Sequence, residues 1–322
     1  MIFRGDSSPR TAQLDAGGQR DARGTQEPAG QPAAKGSGLL FALATLACVA
    51  GIAASYYFFV RTTTGQYIDE SALVEAGELH GPAGRATTRF LDLLPGISLA
   101  IAAVVVLFVT LARRRWTAAG ITVAACAAAN LATQLLKDWF PDRPFTGIQT
   151  LELNSLPSGH TTLAASAAAA VFLVASPRWR PLAGFLGGSF AVAAGVSTLV
   201  NQWHRPADVV AGFLVTGAVM LPAGWLIMRT GNRWNVWGGH REHWASSRLW
   251  LMLSVLAGLI SAGVAVYSLL RIAPFGLGIP GLSQEESTTN YFWAGVSLIV
   301  ITGYLGTVTA TWLFGHAARR RN

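Results

Sequence analysis

Eight long apolar segments separate the charged residues of this chain of 322 residues, and they constrain its fold more than any other feature. Each is roughly 20 residues long, which is enough for a helix to cross the hydrocarbon core of a bilayer. Only 12% of the residues are charged and 52% are hydrophobic, so a soluble globule of this length would lack polar surface. The same apolar content excludes disorder for most of the chain. The segments lie near 38–60, 91–112, 117–136, 161–177, 181–200, 208–228, 249–270 and 291–315.

These segments predict an all-α integral membrane protein with about eight spans. In hydrocarbon, only helices and closed barrels satisfy every backbone N–H and C=O group, and the sequence lacks the alternating segments of about ten residues that barrels need. We expect a six-helix transmembrane core over 38–228. A cytoplasmic interfacial loop over 229–248 would then join it to two additional spans and a basic cytoplasmic tail within 249–322. Residues 1–37 are rich in Gly, Ala, Gln, Arg and Pro, which is typical of a disordered tail.

The distribution of arginine and lysine predicts the orientation of the spans. Cytoplasmic loops of membrane proteins carry an excess of these residues. With the N-terminus inside, the inner segments hold 17 of the 24 basic residues, and the outer segments hold 11 of the 16 acidic ones. Both termini are therefore predicted to be cytoplasmic. Because the net charge of +8 follows largely from this topology, no nucleic-acid partner is expected.

Two predicted outer segments carry the polar residues best suited to chemistry. Segment 137–160 joins the third span to the fourth, and segment 197–208 joins the fifth to the sixth. Together they bring six such side chains to one membrane face: Lys137, Arg143, Ser158, His160, His204 and Asp208. Charged groups at span ends are costly unless they are paired or functional, and cations with N–H donors stabilise phosphoryl oxygens. The pattern favours binding and cleavage of an anionic group such as phosphate.

The spacing within these segments predicts local geometry. Ser158 and Gly159 directly precede a predicted helix, so a hydroxyl and free N–H groups would lie at a helix N-terminus, where anions bind. His204 and Asp208 are four residues apart and would share one face of a first helical turn. Asp208 would then hold one ring nitrogen of His204 and leave the other free to attack.

In order along the chain, these residues resemble the motifs of the type 2 phosphatidic acid phosphatase superfamily, which includes membrane lipid phosphate phosphatases. The first family motif is Lys, six residues and Arg-Pro. This chain has Lys137, five residues and Arg143-Pro144. The second motif, Pro-Ser-Gly-His, is intact at residues 157–160. The resemblance covers roughly residues 38–228, with the motifs at the expected span boundaries.

The third motif is a variant of the family pattern, which is Ser-Arg, five residues, His, three residues and Asp. Ser197, His204 and Asp208 match it with the right spacing, but Thr198 stands where the arginine is expected. A charge-assisted hydrogen bond of the kind an arginine makes contributes roughly 1.5–3 kcal/mol. Arg205, adjacent to His204, is a candidate substitute for phosphate binding.

The resemblance implies an integral membrane phosphatase that hydrolyses a lipid phosphate or diphosphate at the extracytoplasmic face, with no metal or other cofactor. It implies that His204 is the nucleophile and forms a phosphohistidine, that Asp208 orients it, and that His160 protonates the leaving group. The implied phosphate-binding groups are Lys137, Arg143, Ser158 and the Gly159 N–H. The expected partners are the lipid substrate and the surrounding membrane lipids.

Several substrates and two other functions remain open at this point. Polyprenyl diphosphate, phosphatidic acid and phosphatidylglycerol phosphate are the candidate substrates. The excess of 22 Arg over 2 Lys is typical of a high-GC bacterial gene, which slightly favours the polyprenyl carrier of cell-wall synthesis. The variant third motif leaves open a non-catalytic family member that binds lipid phosphates. A lipid transporter is less favoured, because the span interiors lack the ionisable residues that transporters use.

Segment 61–90 is long for a loop between spans. It mixes acids with apolar residues such as Tyr67 and Leu73, which predicts a short amphipathic helix on the outer surface. Its length and position suggest a lid over the site or a guide for the substrate.

Overall fold

A computed structural model describes residues 37–148, 154–230, 243–273 and 289–318. The regular elements in these ranges are all helical. The predicted disordered tail, apart from Ser37, lies outside the described residues, and so do residues 231–242 of the predicted inner loop.

Eight long helices follow one another through the described ranges. They are α1 (Ser37–Ser55), α2 (Thr63–Arg113), α3 (Trp116–Trp139), α4 (Gly159–Val174), α5 (Arg180–Val200), α6 (Pro206–Thr230), α7 (Arg248–Ile272) and α8 (Asn290–Ala318). A π-helical turn over Tyr56–Val60 continues α1, and a short 3-10 turn over Trp244–Ser246 precedes α7.

Seven stretches within these helices are long and apolar enough to cross a membrane. The remaining helix, α4, is apolar but has only 16 residues, so it is about 24 Å long against a hydrocarbon core of about 30 Å. Helices α2, α3, α5 and α6 pack around α4, and for that reason it does not have to match the bilayer alone. The predicted all-α integral membrane fold with about eight spans is confirmed.

The structure differs from the sequence prediction in segment 61–90. Helix α2 begins at Thr63 and continues through the second span as one element of 51 residues, where the sequence predicts a separate short surface helix. The outer half of α2 buries apolar side chains such as Tyr67, Ala72 and Ala76. Tyr67 also packs edge-on against Tyr291 of α8, with ring centroids 5.8 Å apart. These contacts hold the outer half of α2 against the bundle, so the helix continues without a break.

Helix α8 packs into the bundle through close backbone approach. It contacts α5, α6 and α2, whereas α7 packs mainly on α8. A Cβ atom placed on Gly303 would collide with Val192 of α5 and lie 3.3 Å from the ring of Phe213 of α6. A Cβ atom on Gly306, three residues further along α8, would meet nothing within 4 Å. Glycine at 303 therefore allows α8 to approach α5 and α6 closely, while glycine at 306 is not required by packing.

This contrast predicts different stabilities for two matched variants. Gly303→Leu forces side-chain or helix displacement, and overpacking of this kind destabilises proteins by about 1–3 kcal/mol. Gly306→Leu adds the same side chain to open space and should leave stability close to wild type. The check is the thermal unfolding midpoint of purified protein in detergent. Equal midpoints for the two variants would contradict the packing described here.

Candidate active site

The outer ends of several helices meet at the candidate site. Helix α3 ends there, α4 and α6 begin there, and the outer half of α2 packs beside them. Helix α3 stops at Trp139 because Phe140 precedes a proline and adopts extended backbone angles (φ −73°, ψ 124°), as the residue before proline favours. Lys137 lies in the last turn of α3.

The Pro-Ser-Gly-His segment opens α4, as its sequence predicts. Ser158 is the N-cap, and its fully buried Oγ accepts hydrogen bonds from the Thr161 N–H at 3.3 Å and from Thr161 Oγ1 at 3.1 Å. The Ser158 N–H donates to the backbone oxygen of Asp208 at 2.8 Å, which fixes the start of α4 against α6. The first N–H groups of a helix have no partner within it, so the Gly159 end of α4 presents donors to an anion.

The turn between α5 and α6 is held by the backbone of Thr198. Its carbonyl accepts the N–H groups of Trp203 at 2.9 Å and of His204 at 3.3 Å. Gln202 adopts a left-handed conformation (φ 55°) as the chain reverses. The Thr198 hydroxyl donates to the carbonyl of Gly195 at 2.7 Å, and the residue is fully buried. At the position where the resemblance implies a phosphate-binding arginine, the Thr198 side chain is therefore buried and hydrogen-bonded to the backbone of α5.

The predicted pairing of His204 and Asp208 is present in the structure. His204 Nδ1 lies 3.4 Å from Asp208 Oδ2, although His204 precedes the first residue of α6. The same carboxylate oxygen accepts the Ser155 hydroxyl at 2.6 Å and the Arg205 N–H at 3.1 Å. With a proton on Nδ1 facing the carboxylate, the Nε2 lone pair of His204 is available to attack.

The second histidine of the prediction lies beside the first. The ring centroids of His160 and His204 are 6.0 Å apart. The indole of Trp203 packs on His160 at 5.2 Å and is 41% exposed. The two imidazoles, one at the start of α4 and one before α6, therefore face a common space.

Arg143 lies behind this pair of histidines and is wholly buried. Its guanidinium donates to the carbonyl of Phe59 at 3.3 Å and to Asp69 Oδ2 at 3.4 Å. The same nitrogen that contacts Asp69 lies 3.8 Å from Asp208 Oδ1, within ion-pair distance. Its role in binding phosphate oxygens stays a prediction, and in this structure its charge faces two carboxylates.

Arg205 also faces a carboxylate. Its Nε donates to Glu70 Oε2 at 2.6 Å, and a terminal nitrogen donates to Ser155 Oγ at 3.2 Å. The side chain is almost fully buried. Its predicted role as a substitute phosphate ligand therefore also stays a prediction.

The outer half of α2 contributes acids that, from the sequence alone, serve only as markers of topology. Asp69 Oδ1 accepts the Ala207 N–H at 2.9 Å and so caps the start of α6. Six residues further along, Glu75 Oε2 accepts the Phe292 N–H at 2.7 Å and caps the start of α8. Negative charge is favourable at helix N-termini. The signal in the sequence was that these acids share a helical face with buried apolar residues, which is unusual for solvent-exposed acids.

Burial and neighbouring charges shift the pKa values of two groups around the site. Burial is the largest cause that raises the pKa of Asp69 to about 7; the Arg143 guanidinium opposes it and the Asp208 carboxylate adds to it. For Arg205, burial alone lowers the pKa, but the charges of Glu70, Asp208 and Asp69 outweigh it and hold the pKa above its ordinary value. The guanidinium of Arg205 is therefore charged at any pH the protein meets.

Comparison with known families gives one match. A model of the PAP2 superfamily matches residues 118–234, a range that contains every predicted catalytic and phosphate-binding residue. The match confirms the resemblance to the type 2 phosphatidic acid phosphatase superfamily. Comparison with curated proteins and with solved structures gave no match.

The raised pKa of Asp69 predicts a pH dependence of stability. An unfolded aspartate has a pKa of about 3.9, so the folded protein binds this proton more tightly. The unfolding free energy should therefore fall as pH rises from about 4 to about 7. Asp69→Asn keeps an oxygen that accepts the Ala207 N–H but cannot ionise. We expect its thermal unfolding midpoint in detergent to change less between pH 5 and pH 7.5 than that of wild type; an identical change would contradict the assignment.

Proposed function

We propose that this chain, whose residues 118–234 carry the PAP2 superfamily region, is an integral membrane phosphatase that hydrolyses a lipid phosphate or diphosphate through a phosphohistidine. Membership of this superfamily supports a phosphatase acting on lipid phosphates in general. The observation that carries the finer proposal is the placement of His204. Its Nδ1 faces the buried carboxylate of Asp208 at 3.4 Å, and its ring faces His160.

The proposed reaction proceeds in two steps. His204 Nε2 attacks phosphorus, a P–N bond forms, and the P–O bond to the leaving group breaks as His160 donates a proton to the leaving oxygen. A water molecule then attacks the phosphohistidine, with neutral His160 accepting its proton, and inorganic phosphate leaves with His204 regenerated. Asp208 stabilises the charge on the His204 ring in both steps.

The groups proposed to bind the phosphoryl oxygens come from the ends of two helices. Lys137 provides a cation at the end of α3, and the Gly159 N–H lies at the start of α4 beside Ser158. A fixed set of donors around the transferred group is the main catalytic device of phosphoryl transfer. Ser158 acts through the cap that orients these N–H groups, because its hydroxyl already accepts hydrogen bonds from Thr161.

Exposed aromatic side chains near the site support a lipid as the substrate. Trp139 and Phe145 are 84% and 85% exposed; Trp139 is the last residue of α3, and Phe145 lies in the connection that leads from α3 to α4. Trp203 packs on His160 at the site itself. Aromatic residues of this kind are enriched at the level of lipid headgroups. Their position is suited to a substrate whose phosphate enters the site while its tail stays in the membrane.

The proposal is tested by phosphate release from detergent-purified protein. The substrate panel is polyprenyl diphosphate, phosphatidic acid and phosphatidylglycerol phosphate, each assayed with a chelator present. His204→Ala should lower the rate by roughly three orders of magnitude or more, as expected for loss of a nucleophile. His316→Ala is the matched control, because His316 is exposed on α8. Equal rates for wild type and His204→Ala would refute the mechanism, and lipid binding without turnover would favour the non-catalytic alternative.

The proposed location is the cell membrane, with both termini cytoplasmic and the site outside. Two exposed positions test this in a background with Cys48 and Cys126 replaced by Ala. Phe145→Cys should react with a membrane-impermeant maleimide in intact cells, and Arg178→Cys should react only after lysis. Both residues are exposed, so access differs only through the side of the membrane. The reverse pattern would invert the proposed topology.

A further inference from the structure

We propose that Glu70, on the outer half of α2, is a positioning residue of this site. Its carboxylate binds the Arg205 guanidinium, so that the Asp208 carboxylate remains paired with His204. The inference rests on the proposed function and adds a residue outside the three motifs and outside the family-matched range. It also gives the outer half of α2 a role other than that of a movable lid.

A continuous chain of short contacts links Glu70 to the proposed nucleophile. Glu70 Oε2 accepts from Arg205 Nε at 2.6 Å, and Arg205 donates to Ser155 Oγ at 3.2 Å. The Ser155 hydroxyl donates to Asp208 Oδ2 at 2.6 Å, and that oxygen lies 3.4 Å from His204 Nδ1. These contacts link three parts of the chain, namely helix α2, the connection before α4 and residues 204–208, so the position of the nucleophile depends on helix α2.

The alternative partner of Arg205 explains why Glu70 is needed. The backbone N–H of Arg205 donates to Asp208 Oδ2 at 3.1 Å. A terminal nitrogen of its guanidinium contacts the Ser155 hydroxyl at 3.2 Å, and that hydroxyl donates to Asp208 Oδ2 at 2.6 Å. Arginine prefers two-point pairing with a carboxylate, and the buried Asp208 carboxylate lies one hydroxyl group away from the guanidinium. Without Glu70, the guanidinium would turn towards Asp208 and compete with His204. By binding the Arg205 guanidinium, the Glu70 carboxylate prevents it from replacing His204 as the partner of Asp208.

Charges from every neighbouring element face the His204–Asp208 pair. Among the described residues they are Asp69 and Glu70 of α2, Lys137 of α3, His160 of α4, Arg143 of the following connection, and Arg205 beside His204. Loss of the Glu70 carboxylate removes one negative charge from the surroundings of the His204 ring. Positive charge disfavours the protonated imidazole, so His204 should titrate at lower pH.

Two independent measurements test the link from Glu70 to His204. The first follows the ring signals of His204 by NMR in histidine-labelled protein in detergent, assigned with His204→Gln. The second measures kcat, KM and the pH–rate profile with the best substrate of the panel. Glu70→Gln removes the charge, and Glu70→Asp keeps it on a shorter side chain. Glu75→Gln is the matched control, since Glu75 is a buried acid on the same helix that caps α8 instead.

The expected result separates positioning from general loss of structure. In Glu70→Gln, the midpoint of the His204 titration falls by about half a pH unit or more, and the acidic limb of the pH–rate profile moves the same way. The kcat value falls roughly ten- to hundredfold through misplacement, with KM within about twofold. Glu70→Asp returns the titration towards wild type. Glu75→Gln leaves the His204 titration unchanged.

Two contrary outcomes have different meanings. An unchanged His204 titration in folded Glu70→Gln, or an equal change in Glu75→Gln, overturns the positioning role whether or not the protein releases phosphate. A lowered titration midpoint in a protein that hydrolyses no member of the panel supports the link from Glu70 to His204 and refutes the proposed phosphatase function.

Discussion

The fully buried carboxylate of Asp208 is the group on which the arrangement of the candidate site depends. Its side chain accepts the Ser155 hydroxyl and the Arg205 N–H and faces His204, while its backbone oxygen accepts the Ser158 N–H at the start of α4. A buried carboxylate without such partners would be strongly unfavourable. The Ser155 hydroxyl on the carboxylate and the Ser158 N–H on the backbone oxygen together hold the starts of α4 and α6 against each other, and both histidines lie at these helix starts.

A second set of paired acids extends this principle to the outer half of α2. Asp69 caps α6 and pairs with Arg143, Glu70 pairs with Arg205, and Glu75 caps α8. Each of these acids meets a helix N-terminus or a guanidinium, which compensates for its loss of contact with water. The outer half of α2 is therefore part of the structure that supports the site, and α8 is tied to it through Glu75. This arrangement explains why α2 continues as one helix through residues that the sequence suggests form a separate surface element.

How far the sequence predicts this protein differs between its parts. The spans follow from apolar length, because a helix in hydrocarbon satisfies its own backbone and needs about 20 residues; even the short α4 was recognised from its apolar content. The pairing of His204 with Asp208 and the helix start at Ser158 also follow from local spacing, since both depend on residues within four positions of each other. The partners of Arg143 and Arg205 do not, because Asp69 and Glu70 are more than 70 residues away from either arginine.

By itself, the sequence determined the class of fold, the helix ends that carry the motifs, and the family to which residues 118–234 correspond. These are consequences of hydrophobic length and of short-range hydrogen bonding, which one stretch of chain specifies alone. The tertiary structure decided what the arginines face. Each guanidinium pairs with a carboxylate from a distant part of the chain. The two groups of each pair meet only when α2, α6 and the connections between the spans pack together. The charge around His204 is accordingly a property of the assembled bundle and not of any single motif.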